Sequence, residues 1–152
     1  MIKGEAAKIM LAKFVGYEVK KTSEINPEFP KNHPDPMIIW FVSSGSQRFI
    51  YHTLLDHYNP KTNLHDLFQI VDVIEKEYLL TTKLESLNTD PKHPEDVKYH
   101  FVIEYMHKIS KVKVESDFLD TYSTRQEAIY NSCLNVVEKI FSLKNELYEE
   151  KT

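Results

Sequence analysis

The chain has 152 residues, 19 basic against 23 acidic, a formal net charge of −4 and 41% apolar content. A chain of this length buries about 68–70% of the surface it exposes when unfolded, so it needs no disulfide or metal to fold. Its acidic balance argues against a general binder of nucleic acid or anionic membranes.

Cys133 is the only cysteine, which allows no internal disulfide and no cysteine-built zinc site. No stretch has the apolar run of a signal peptide or a membrane span. These features predict a cytosolic protein with no membrane partner and no cofactor. With three glycines, the chain also lacks the glycine-rich loops that cradle phosphates.

Residues 4–15 read as a short amphipathic helix on the spacing of Ala6, Ile9, Met10 and Lys13–Phe14, with Gly16 at the C-cap position. A strand is expected to start at Tyr17–Lys20. Residues 23–36, with four prolines and no periodicity, form a long loop. The run MIIWFV (37–42) is a buried strand, Ser43–Ser46 a turn, and 47–55 a partner strand or short helix.

Asn63 is placed to cap a helix over 64–77. Its broad apolar face runs through Leu64, Leu67, Phe68, Ile70, Val71, Val73 and Ile74, opposite a stripe of His65, Gln69, Asp72 and Lys76. Residues 78–86 read as a strand and 87–96 as a turn-rich connection. Residues 97–106 alternate, with Val97, Tyr99, Phe101, Ile103 and Tyr105 on one side. ISKVKVE (109–115) alternates again and is expected to pair with that strand as a hairpin through 106–108.

Ser123 and Gln126 have the spacing of a capping box, opening a long helix over 124–147. Two apolar seams run along it. One is Ile129, Cys133, Val136 and Ile140; the other is Tyr130, Leu134, Val137, Phe141 and Tyr148. The second seam is either further packing or a partner surface. The sum is a single α+β domain over residues 1–152: a mostly antiparallel sheet packed with an N-terminal, a central and a long C-terminal helix.

Three segments carry a resemblance: IMLAKFVGYE (9–18), HDLFQIVDVIEKE (65–77) and ESDFLDTYSTRQEAIYNSCLNVVEKIF (115–141). Together they resemble uncharacterised small proteins of phages and prophages with an α/β/α sandwich-like domain. The resemblance covers about half the chain, rests on packing motifs, and is broken across 19–62. It implies a mobile-element origin and an accessory role, and no catalytic residue comes with it.

The stretch YHTLLDHYNPKTNLHD (51–66) concentrates histidines and aspartates. His52 and His57 lie five apart, about 140° around a helix axis or on opposite faces of a strand, so they do not converge locally. His65 with Asp66 is the dyad spacing of HD-type phosphohydrolases, for which His52 could be an upstream ligand. That pattern needs a further aspartate on another helix, within an all-helical fold. The expected reading is therefore a surface and turn region with no metal, a metal-dependent hydrolase using His52, His57, His65 and Asp66 being the alternative. Cys133 sits on an apolar seam and reads as a buried structural thiol, and Glu75 and Glu77 as a solvated face.

Lys98, His100, Lys108, Lys111 and Lys113 make 98–113 basic, and acidic residues follow from Glu115. The aromatics there alternate with the lysines. They therefore point to the opposite face, and lysines guarding a strand edge are the expected reading, with contact with RNA the alternative. The expected function is a non-enzymatic interaction protein that occupies a host protein or ribonucleoprotein complex, in its sharpest form an anti-CRISPR-type inhibitor. Contact would run through that basic hairpin or through Tyr130, Leu134 and Phe141 of the terminal helix. RNA contact and a homodimer are further arrangements.

Overall fold

The computed structural model describes residues 3–25, 27–28, 30–32, 36–42, 49–88, 90–117 and 120–150, the side chains of 25, 40–42, 49–53 and 145–150 excepted. The chain folds as two compact units, Ile2–Asn59 and Pro60–Thr152. The α+β class holds. Every strand pairing described is antiparallel, and the strands divide between two small sheets.

In the first unit, helix α1 (Gly4–Val15) ends where Gly16 adopts φ 106°, a left-handed conformation that glycine reaches without a Cβ clash. The N–H of Tyr17 reaches back to Ala12 O at 3.0 Å and closes the cap. The buried face of α1 is Ala7, Leu11, Ala12 and Phe14. Of the expected stripe only Phe14 is buried: Ala6 is exposed, and Ile9 and Met10 are half-buried. Almost every position from 6 to 12 is apolar, so spacing alone does not select a face.

Strands β1 (Glu18–Lys21), β2 (Met37–Val42) and β3 (Phe49–Leu54) form a sheet in that order. Lys20 lies opposite Ile38, and Ile39 opposite Thr53. MIIWFV is thus the central strand, with Ile39 buried. The described part of the expected 23–36 loop begins with one helical turn, α2 (Thr22–Ile25), tied down by Thr22, whose N–H and Oγ1 both donate to Pro36 O at 3.0 and 2.7 Å. The turn expected at 43–46 lies outside the described residues. A 3-10 turn, Leu55–His57, leads to Tyr58, whose ring meets that of Tyr17 edge-on at 6.0 Å.

In the second unit, the side chain of Asn63 accepts from Asp66 N–H at 3.2 Å and starts helix α3 (Leu64–Lys76). Leu67, Ile70, Val71 and Ile74 are buried, the i, i+3, i+4, i+7 stripe of one helix face. That face is narrower than expected, since Leu64 and Phe68 are 51% and 48% exposed. Leu79, at φ 58°, turns the chain into strand β4 (Leu80–Asn88). β4 pairs along its whole length with β5 (Val97–Tyr105), in a register that sets Leu80 opposite Tyr105 and Asn88 opposite Val97. Phe101 and Ile103 are buried as the alternation predicts, and Val102, on the opposite side, is buried too.

The hairpin expected between β5 and 109–115 does not form; the antiparallel partner of β5 is β4. After Tyr105 the chain makes a tight turn in which Ile109 and Ser110 N–H both reach Met106 O, and Lys108 adopts φ 84°. Residues 111–116 return irregularly along the other edge of β5. Lys111 N–H donates to Tyr78 O, ahead of β4; on β5 itself Ser116 N–H donates to Ile103 O, and Ile103 N–H donates to the buried Ser116 Oγ at 2.8 Å.

Helix α4 (Arg125–Glu150) packs on β5 and α3. Its cap is one residue later than expected: Thr124 Oγ1 accepts from Glu127 N–H at 3.1 Å. Gln126, expected to reach back to the cap, instead donates to Lys61 O, and Ser123 receives a long contact from Lys98. Among the described residues, no helix is long and apolar enough to cross a membrane.

Candidate interaction surface

The basic residues singled out on 98–113 do not share one face, because the hairpin that would have aligned them is absent. His100, half-buried on the outer face of β5, points its Nε2 at Glu85 Oε2, 2.7 Å away. That bond, and a second from Lys83, hold the Glu85 carboxyl below its ordinary value. Lys98 Nζ lies 3.4 Å from Ser123 Oγ. Lys113 Nζ sits 5.6 Å over the Tyr105 ring. Lys108 and Lys111 remain together, in the turn beyond β5.

That turn builds the clearest surface feature of this unit. Ser110 Oγ donates to Leu79 O and accepts from Met106 N–H, both at 2.8 Å, clamping the entry to β4 against the exit from β5. Three large apolar residues stand out there: Leu79 at 36%, Met106 at 47% and Ile109 at 54% exposure. His107, Lys108 and Lys111, in and just after the same turn, are all exposed. Leu79 and Lys108 both have positive φ, costly by about 1 kcal/mol or more for residues with a Cβ. The apolar members were missed in the sequence; two apolar residues, Met106 and Ile109, flanking His107 and Lys108 in a turn were the available signal.

The second seam of α4 is mostly packing. Leu134 is only 3% exposed and Val137 is fully buried, so Leu134 offers nothing to a partner. Tyr130 is half-buried, enough to push its hydroxyl above the ordinary value. Phe141 is also half-buried and carries Lys144 Nζ 5.9 Å over its ring, while Lys144 donates to Tyr78 OH at 2.7 Å. The Tyr148 side chain lies outside the described residues.

His57 belongs to the first unit, and His65 and Asp66 to the second, where His65 is exposed on α3. The His52 side chain lies outside the described residues. Among the described residues, the group whose potential ligand atoms gather within 4.8 Å is a different one: His93, Glu95 and Asp96, all exposed on the turn before β5. Burial, with the nearby charge of Glu75 adding, pushes the Cys133 thiol well up, leaving it protonated and unreactive. A groove of about 700 Å³ opens between Tyr105–Glu115 and α4. It mixes Lys113 and Lys139 with Glu115 and Glu138, so its charge favours neither a cation nor an anion. Lys139 itself is held by Asp117 Oδ1 at 2.9 Å and Glu115 O at 2.7 Å.

Comparison with protein-family models, with curated protein sequences and with solved structures gives no match.

Proposed function

We propose that the chain is a non-enzymatic interaction protein that docks on an acidic, partly apolar surface of a larger protein. The contact is the turn bearing Leu79, Met106 and Ile109, together with His107, Lys108 and Lys111. One observation carries the reading. Three exposed apolar side chains stand where the backbone passes through the left-handed region at Leu79 and Lys108, fastened through Ser110. Such strain at an exposed site is the kind that recognition, rather than stability, maintains. Lys108 and Lys111 are positive although the chain is net negative, which favours an acidic partner. The resemblance to phage and prophage proteins supplies the sharpest form of this reading: occupation of a host-defence complex of the anti-CRISPR kind, in the host cytosol.

The test is affinity capture from host lysate with wild type, a Met106→Ser/Ile109→Ser variant and a Lys108→Glu/Lys111→Glu variant. The expectation is one stoichiometric protein partner, weakened on the order of tenfold or more by each variant while the melting temperature is unchanged. A captured RNA whose affinity falls steeply with salt would replace this reading with nucleic-acid contact. Capture that is indifferent to both variants would refute the surface.

A further inference from the structure

Among the described residues, strand β4 is hydrogen-bonded on one side only. β5 lies along one edge, in a two-stranded sheet, and Lys83, Leu84, Ser86, Leu87 and Asn88 are exposed. The outward-facing groups follow from β5. Tyr99 exchanges both backbone bonds with Tyr122 at 2.8 Å, and Ile103 directs its N–H and C=O to Ser116. Both therefore face away from β4. Backbone groups alternate sides along an antiparallel strand, so His100, Val102 and Glu104 face β4 and bond to Glu85, Lys83 and Thr81. Thr82, Leu84 and Ser86, the residues between, point their N–H and C=O to the open edge. Such an edge is a template for another strand.

We propose that two copies of this chain pair through β4, antiparallel, about a two-fold axis at Leu84. In this register Leu84 faces its own copy, Thr82 faces Ser86 and Lys83 faces Glu85, each contact occurring with its symmetry mate. The outward backbone groups of Thr82, Leu84 and Ser86 then meet one another in phase. Lys83 and Glu85 already share a face, 3.1 Å apart within the strand, and the two-fold repeats that pair across the interface. Leu84, 38% exposed, gains an apolar neighbour. The adjacent registers fail on charge: an axis at Lys83 opposes two lysines, and an axis at Glu85 opposes two carboxylates. A self-complementary patch of this kind is what a two-fold dimer requires. A lone lysine guarding the edge would repel a second copy, whereas Lys83 followed two residues later by Glu85 does not.

The experiment is sedimentation velocity across a concentration series, on wild type and three variants. Wild type should show a concentration-dependent dimer. Lys83→Glu leaves the Glu85–His100 contact in place but sets a carboxylate at position 83 against Glu85 of the other copy. It should weaken dimerisation on the order of tenfold. Glu85→Lys should do the same by opposing two ammonium groups. An equimolar mixture of these two variants should recover a heterodimer, because both carboxylates of one chain then meet both ammonium groups of the other. Leu84→Pro removes an outward N–H while sparing the ladder to β5. It should be monomeric, with near-native circular dichroism. A wild type that stays monomeric to its solubility limit overturns the proposal. So does a dimer unmoved by Lys83→Glu and Leu84→Pro, or a mixture that fails to associate.

Discussion

Glu85 and His100 meet side chain to side chain on the outer face of the β4–β5 sheet, and their 2.7 Å contact makes a titration prediction possible. The bond from His100 is the leading cause of the lowered Glu85 pKa, followed by that from Lys83. A carboxyl whose folded pKa lies below its unfolded one contributes stability that is fully present above the unfolded pKa. That contribution is lost as pH falls through the folded value. The expected outcome is that His100→Ala returns the Glu85 carboxyl toward the ordinary 4.5, followed by NMR titration of its side chain. The same variant should lose less stability than wild type on acidification through the carboxylate range, measured by urea unfolding. If Glu85 titrates at the same pH in both proteins, the contact does not control it. Neither residue's pairing was legible in the sequence: fifteen positions separate them, and only the β4–β5 register sets them opposite each other.

At the scale of elements, α3 separates what periodicity can and cannot say. Its cap and its limits are local chemistry, since Asn63 supplies an acceptor to the first turn, Lys76 places a cation in the last, and the N–H of Glu77 closes on Val73 O. Its apolar face was overdrawn, because two of seven apolar positions, Leu64 and Phe68, remain about half exposed. The expected outcome is a sharp contrast between two substitutions one turn apart. Val71→Asp, at a site 6% exposed, should cost at least about 3 kcal/mol, because a charge there has neither water nor partner. Phe68→Ser should cost less than about 1 kcal/mol. Thermal or urea denaturation of both variants checks this, and equal shifts would mean the buried face is misplaced. The strands tell a parallel story. Alternation placed β5 within a residue, yet it equally described 109–115, which is no strand. Alternation states that a segment can lie on a surface and is silent on which segment lies beside it.

At the scale of the molecule, the second unit holds a set of fully buried side chains from three of its own elements. Leu67, Ile70 and Ile74 of α3, Ile103 of β5, and Val136, Val137 and Ile140 of α4 are all buried to within 1% exposure. Packing of α4 on β5 and of α3 on α4 joins these elements. A fragment of residues 60–152 is therefore expected to fold by itself. It should give one cooperative thermal transition and a dispersed NMR spectrum, and retain the protected amides of β5 and α4. A fragment that stays unfolded would show that this core needs residues 2–59 to form.

Residue order makes the local features legible: the Gly16 and Asn63 caps, the extent of α1 and α3, the strand character of 37–42 and 97–105, and the buried Cys133 seam. Each depends on residues within a turn or two of one another, where backbone geometry and hydrogen-bond supply act directly. The tertiary structure alone decided the partner of β5, the one-residue shift of the α4 cap to Thr124, and the burial of Leu134. It also decided the gathering of Leu79, Met106 and Ile109, which depends on Ser110 bridging positions far apart in the chain. These outcomes turn on which surfaces meet, and a pattern of apolar residues fixes that a side must be covered without naming what covers it.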